Sequence, residues 1–305
     1  MILDSLKTQK IKKKYFNFLK SQEVKGEPFL DKSKQLQKFY LPICKYIFHQ
    51  YKKDKKSNLI GLSGAQGSGK STIAKILKIL LEEKYKLKVI NFSIDDYYKT
   101  IKSRKKLSKN TSKLFLTRGV PGTHDTKLLQ YHIKNLKSKN FKNFYIPKFD
   151  KSIDNRLPKK KWSLIKEKPD IIIFEGWCVG ATPFKNSDIK APINLLEKKE
   201  DKKMIWRKTV NKELKNNYKK IFDMIDRLIF LKIPSFKYVF KWRLLQESKL
   251  KAKSSRNKIM GEKQIREFIM FYERITKKMI SQTQKYADVV IKLDAKHKLK
   301  SIKIK

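Results

Sequence analysis

Five short apolar runs, separated by longer helical stretches, recur along the chain. They are "NLIGLS" (58–63), "KVINFSIDD" (88–96), "DIIIFEG" (170–176), "DRLIFLKI" (226–233) and "ADVVIKL" (287–293). Each is brief, rich in β-branched residues and apolar at successive positions, not at alternate ones. Strands covered by helices on both faces have this texture, so the pattern predicts buried parallel strands in a doubly wound α/β fold. Upstream, "LQKFYLPICKYIFHQYKK" places Phe39, Cys44, Ile47 and Tyr51 at roughly helical intervals around Pro42. That spacing predicts an N-terminal helical segment packed on the core, with the proline tolerated near a helix start. The expected organisation is therefore a helical extension over 1–56 and an α/β domain over 57–305.

Composition narrows the class without changing the fold. The 305 residues are 40% hydrophobic, enough for a substantial core. Lys and Arg number 76 against 28 Asp and Glu, a formal net charge of +48. Such charge attracts polyanions. The lysines, however, are spread over the whole chain, whereas a nucleic-acid footprint should be clustered, so no nucleic-acid partner is expected. Cys44 and Cys178 cannot build a disulfide framework or an all-cysteine metal site. No apolar run reaches the ~18 residues that a membrane span needs. The N-terminus also has neither a long apolar core nor a small-residue cleavage site. A cytoplasmic location with no membrane partner is expected.

Chemistry enters at the ends of the first three runs. Gly64, Gly69, Lys70 and Ser71 satisfy G-x-x-x-x-G-K-[ST], with Gly67 as a further glycine. A strand precedes this loop and the helical pattern "STIAKILKILLEEKY" follows it, the context a phosphate-binding loop requires. Glycines let several backbone N–H groups converge on one phosphate, and the helix adds its positive N-terminal end. The loop from Gly64 through Ala65, Gln66, Gly67, Ser68, Gly69, Lys70 and Ser71 to Thr72 is expected to hold ATP. Lys70 would bridge the β- and γ-phosphates and Ser71 would ligate Mg²⁺. Glu175, at the end of "IIIFEG", is the second expected Mg²⁺-organising group. Asp95 and Asp96 end the second run. If the strand persists, the two side chains point to opposite faces and only one meets the γ-phosphate. Asp95 is the expected base for an acceptor hydroxyl; the alternative is that Asp96 acts and Asp95 caps the next helix.

With "GAQGSGKST", "SIDDYY", "RGVPGTHD", "IPKFDKS" and "FEGW" in this order, the chain resembles the D-glycerate 3-kinase family, from about residue 35 onward. "RGVPGTHD" and "KWRLLQE" carry the specificity of the likeness. These are P-loop kinases related to uridine kinase, phosphoribulokinase and pantothenate kinase. The resemblance implies transfer of the ATP γ-phosphate to the 3-hydroxyl of D-glycerate and a five-stranded parallel core of order 2-3-1-4-5. It places the acceptor-activating aspartate at Asp95, a Mg²⁺-organising glutamate at Glu175, and substrate segments at 118–125 and 148–156. In these segments Arg118 offers a planar fork for a carboxylate, and Thr123, His124 and Asp125 offer polar contacts. Gly119, Pro121 and Gly122 would fix the loop. His124 reads as a hydrogen-bonding residue rather than a base, and Lys151 and Arg156 are further anion binders. A lid is expected near 241–260, with Arg243 as the phosphoryl contact, Lys241 and Arg256 behind it, and Trp242 and Leu245 in the core. Two alternatives stand: the same ATP site with a nucleoside, pantothenate or another sugar acid as acceptor, or an ATP-binding regulatory or nucleic-acid-associated protein.

Overall fold

The apolar runs become adjacent strands in the computed structural model, which describes residues 2–23, 29–253 and 260–305. The main sheet has six strands: β1 (Asn58–Gly64), β2 (Val89–Ser93), β3 (Ile171–Gly176), β4 (Arg227–Lys232), β5 (Val289–Leu293) and β6 (Leu299–Ile304). Their order across the sheet is β6-β5-β4-β1-β3-β2. β1 through β5 pair in parallel, and β6 pairs antiparallel to β5. The five parallel strands stand in the expected order 2-3-1-4-5, but the sheet is not five-stranded: the antiparallel β6 makes it a mixed sheet of six. β6 gave no apolar run because it is a half-covered edge: Leu299, Ile302 and Ile304 pack on the core while Lys300 and Lys303 stay in water. Lysines on an edge strand also discourage pairing with a further chain.

Period-two alternation sends the central strands' side chains to two separate cores. On one face Ile60, Leu62, Ile171, Ile173, Ile229 and Leu231 join the helix α3 (Lys70–Tyr85) and the N-terminal helices α1 (Ile2–Gln22) and α2 (Leu41–Asp54). On the other, Leu59, Phe92, Ile172, Phe174, Leu228 and Phe230 pack under α5 (Thr126–Lys137) and α8 (Glu262–Gln282). The intervening labelled helices are α4 (Ile101–Asn110), α6 (Ile205–Glu213) and α7 (Lys237–Lys253). Every residue of β1 and β3 is buried, which is why these runs read as continuously apolar.

The N-terminal segment is helical, as its spacing predicts. Pro42 lies in the first turn of α2, directly after a π-helical turn over Leu36–Tyr40. Helical backbone runs on from Lys32 through this turn, so Pro42 lies within a continuous helical stretch and the π-turn stands where the ladder must accommodate its missing N–H. Ile11, Tyr15 and Leu19 of α1 are buried on the same core. Among the described residues no helix is long and apolar enough to cross a membrane.

The second run departs from expectation in one respect that shapes the site. β2 stops at Ser93 and a 3₁₀ turn follows over Ile94–Tyr97. Ser93 Oγ accepts from the Asp95 N–H at 3.2 Å, and Asp96 Oδ2 accepts from the Ser93 N–H at 3.0 Å. Both aspartates therefore leave strand geometry, and the opposite-face argument does not apply to them.

Candidate active site

β1 runs into a glycine loop that turns directly into α3, so the loop amides gather at a helix N-terminus. Gly67 and Gly69 adopt φ of +74° and +91°, the left-handed region that a side chain resists. A Cβ at Gly67 would also press against Trp242 of α7 at 3.0 Å. Gln66 to Thr72 line a cavity of about 780 Å³, whereas Gly64, the last residue of β1, and Ala65 do not line it. Lys70 Nζ donates to the Ala65 carbonyl at 2.9 Å, folded back along its own loop. Burial lowers its pKa, opposed by the charges of Glu175 and Asp95.

Glu175 ends β3 next to β1, and the pairing brings its Oε1 within 2.5 Å of the Ser71 hydroxyl, which donates to it. Burial pushes the Glu175 carboxyl up, while Lys70 and the Ser71 hydrogen bond pull it down. Asp95, at the end of β2 one strand further out, lines the same cavity. Its Oδ2 accepts from Lys151 Nζ at 2.6 Å and its Oδ1 from the Tyr98 hydroxyl at 2.8 Å. Burial opposes its ionisation, but the Lys151 charge and these hydrogen bonds outweigh burial and hold the carboxyl well below the usual carboxylate range. Asp96 also lines the cavity and is pushed up to about 6, first by burial, then by the neighbouring Asp95 and Glu175 charges.

Arg118 and Lys151 reach the cavity from the two segments after β2. Arg118 pairs with Asp154 and its Cζ lies 5.6 Å from the centre of the Phe149 ring. Lys151 is carried on the turn between two-residue strands Phe149–Asp150 and Asn155–Arg156. Arg243, on α7, lines the cavity and pairs with Glu247 one turn along. Lys241 is exposed and turned away, as expected for a residue two positions off on a helix; Arg256 lies outside the described residues. Trp242 and Leu245 were expected in the core. Trp242 is buried, yet both also line the cavity.

Four expected substrate contacts do not reach the cavity. Thr123 is fully buried, donates to the Val120 carbonyl at 2.7 Å and accepts from the Gly119 N–H at 3.0 Å, so it closes the loop on itself. His124 packs on Tyr98 with ring centres 4.5 Å apart, and its Nδ1 is 2.5 Å from the Tyr218 hydroxyl. Burial lowers its pKa to about 3, so it is neutral and serves as a wall behind Tyr98. Asp125 caps α5 through the Leu128 N–H and accepts from Arg156. Arg156 spends its remaining donors on the Tyr97 and Tyr98 carbonyls. These residues build the loop that presents Arg118.

The residues present fit a nucleoside triphosphate. The loop is open on the cavity side, Lys70 has one carbonyl acceptor, and both amide heteroatoms of Gln66 are buried without a partner among the described residues. Ser71 and Glu175 supply two adjacent oxygen donors for Mg²⁺. Among the described residues no group of three or more acidic, histidine or cysteine side chains gathers as a metal site.

Comparison with known proteins agrees with this geometry. Residues 59–182 match the phosphoribulokinase/uridine kinase family. An uncharacterized kinase of Schizosaccharomyces pombe, mug58, is 34% identical over 239 residues, covering 75% of this chain and 83% of that one. The chloroplastic D-glycerate 3-kinase of Arabidopsis thaliana is 28% identical over 222 residues, 70% of this chain and 46% of that protein. The solved structure of a D-glycerate 3-kinase from Cryptococcus neoformans superposes with a TM-score of 0.73 at 25% identity, over 87% of this chain and 99% of that one. Fold and site together define a P-loop kinase, an ATP-dependent enzyme acting on a small hydroxyl-bearing molecule. The chain belongs to the phosphoribulokinase/uridine kinase family, with D-glycerate 3-kinases among its relatives.

Proposed function

We propose that the protein transfers the γ-phosphate of ATP to the 3-hydroxyl of D-glycerate, giving 3-phosphoglycerate and ADP. The observation that carries this reading is the grouping of Asp95, Lys151 and Arg118 in one cavity with the phosphate loop. A small hydroxy acid needs a carboxylate to orient its hydroxyl and cations for its own carboxylate, and the cavity supplies both. The D-glycerate 3-kinases among the relatives support the same acceptor.

In this assignment Lys70 and the loop amides hold the β- and γ-phosphates. Ser71 and Glu175 hold Mg²⁺, which when bound supplies charge compensation on the phosphate oxygens. Asp95, kept ionised by Lys151, orients the acceptor hydroxyl and takes its proton as the phosphoryl group transfers. Arg118 and Lys151 hold the acceptor carboxylate, Lys151 keeping its bond to Asp95 with one of its three N–H donors. Arg243 faces the transferring phosphoryl group from α7.

The test is ADP release with ATP and Mg²⁺ against D-glycerate, L-glycerate, uridine, pantothenate and no acceptor, with the product identified. Turnover confined to D-glycerate and yielding 3-phosphoglycerate is expected. Turnover on uridine or pantothenate in its place would move the acceptor while leaving the ATP site as described.

A further inference from the structure

One carboxylate close to the cavity is shared by two arginines, and neither the phosphate loop nor the base requires it. Asp154 sits at the end of the turn that carries Lys151, with φ of +53°. Its Oδ1 pairs with Arg118 and its Oδ2 lies 3.0 Å from Arg104 Nη2. Arg104 is fully buried, which is costly for a charge unless every donor is met. Each of its three nitrogens has a carbonyl acceptor: Nε that of Lys99 at 3.3 Å, Nη1 that of Leu116 at 2.5 Å and Nη2 that of Asp154 at 2.7 Å. Arg104 thus ties three segments to Asp154: the one after β2, the one before Arg118, and the Lys151 turn. Phe149 lies against both guanidinium groups, 6.0 Å from the Arg104 Cζ and 5.6 Å from the Arg118 Cζ.

The consequence falls on Arg118. Asp154 takes its Nη1, while Nε and Nη2 have no acceptor among the described residues and the side chain lines the cavity. A long, flexible side chain is thereby fixed before any ligand arrives, with the rest of its fork available. Ordering an arginine on binding costs conformational entropy, and a fork fixed in advance avoids that cost. We propose that Asp154 is a positioning residue that presets Arg118 and the Lys151 turn as a two-cation clamp for the carboxylate of the acceptor. This deepens the D-glycerate reading and rests on it for the identity of the carboxylate.

Asn and Gly both tolerate a left-handed backbone, so Asp154→Asn and Asp154→Gly remove the charge without straining the turn. In full-length protein both variants are expected to raise the KM for D-glycerate about tenfold or more, with kcat and the KM for ATP within about threefold of wild type. An acceptor KM unchanged within about twofold in both variants would overturn the proposal. So would a parallel rise in both KM values, which is what a merely structural residue would give. A second measurement needs no acceptor. The Arg118 Nη1–H resonance, the donor to Asp154, assigned by its loss in Arg118→Lys, is expected to be sharp and protected in the ligand-free wild type and to lose that protection in both Asp154 variants. Unchanged protection would overturn the presetting. Absence of D-glycerate turnover in the wild type would refute the glycerate reading, and the resonance would still decide the role of Asp154.

Discussion

Lys151 Nζ donates to Asp95 Oδ2 at 2.6 Å, joining two segments 56 residues apart at the mouth of the phosphate-loop cavity. The pair explains how a carboxylate sheltered in the cavity stays ionised, since the adjacent ammonium more than offsets the burial that would otherwise protonate it. It also places an acceptor-binding cation directly beside the group proposed to take the acceptor proton.

Removing that ammonium separates the two roles. In Lys151→Met, the Asp95 pKa is expected to rise, so the acidic limb of the kcat/KM profile moves to higher pH. The acceptor KM is expected to increase about tenfold, as loss of one charge-assisted contact implies, while the KM for ATP holds. Steady-state kinetics from acid to neutral pH would check both; an unmoved acidic limb would separate Asp95 from the titration.

Asp96 gives a pH effect of the opposite sign to that of Asp95. Its folded pKa of about 6 lies above the ordinary aspartate value of 3.8, so between these values the folded state holds more proton than the unfolded chain. Stability from this group is present at low pH and is lost as pH rises toward about 6. Urea unfolding from pH 4 to 7 is expected to show wild type losing roughly 1–2 kcal/mol relative to Asp96→Asn across that window, less than full burial would give because the residue is partly exposed. Parallel curves would assign the pH dependence to other groups.

Gly119 is held where no side chain fits. Its φ is +133°, and an added Cβ would fall 2.1 Å from the Tyr272 hydroxyl oxygen. That hydroxyl donates to the Arg118 carbonyl at 3.0 Å, and Trp177 Nε1 donates to the Gly119 carbonyl at 3.1 Å. Gly119→Ala is expected to cost roughly 2–4 kcal/mol of stability and to weaken acceptor binding, because Tyr272 must leave the Arg118 carbonyl. Urea denaturation together with the acceptor KM would check this; full stability with normal binding would show that the loop relaxes freely.

The residues legible in the sequence share one property: they stand where parallel strands end. The phosphate loop, Asp95 and Glu175 each follow a buried apolar run, and local pattern was enough to find them. Asp154, Arg104 and Tyr272 carry no such signal, since their partners lie 36, 50 and 154 residues away along the chain. Thr123, His124, Asp125 and Arg156 were misplaced for the converse reason. They are polar neighbours of Arg118 in sequence, but a loop spends polar side chains on its own backbone before it offers any to a ligand. β6 escaped notice because its apolar residues alternate with lysines at a sheet edge and never form a run.

The central claim is that Asp95 activates the acceptor hydroxyl. The direct measurement is kcat for Asp95→Asn beside its affinity for ATP by titration calorimetry. The amide keeps the size of the side chain and its hydrogen bond from Tyr98 but cannot take the proton. A fall in kcat of about 10²-fold or more with ATP affinity within about threefold is the predicted result. Turnover equal to wild type would contradict the assignment and remove Asp95 from the chemistry.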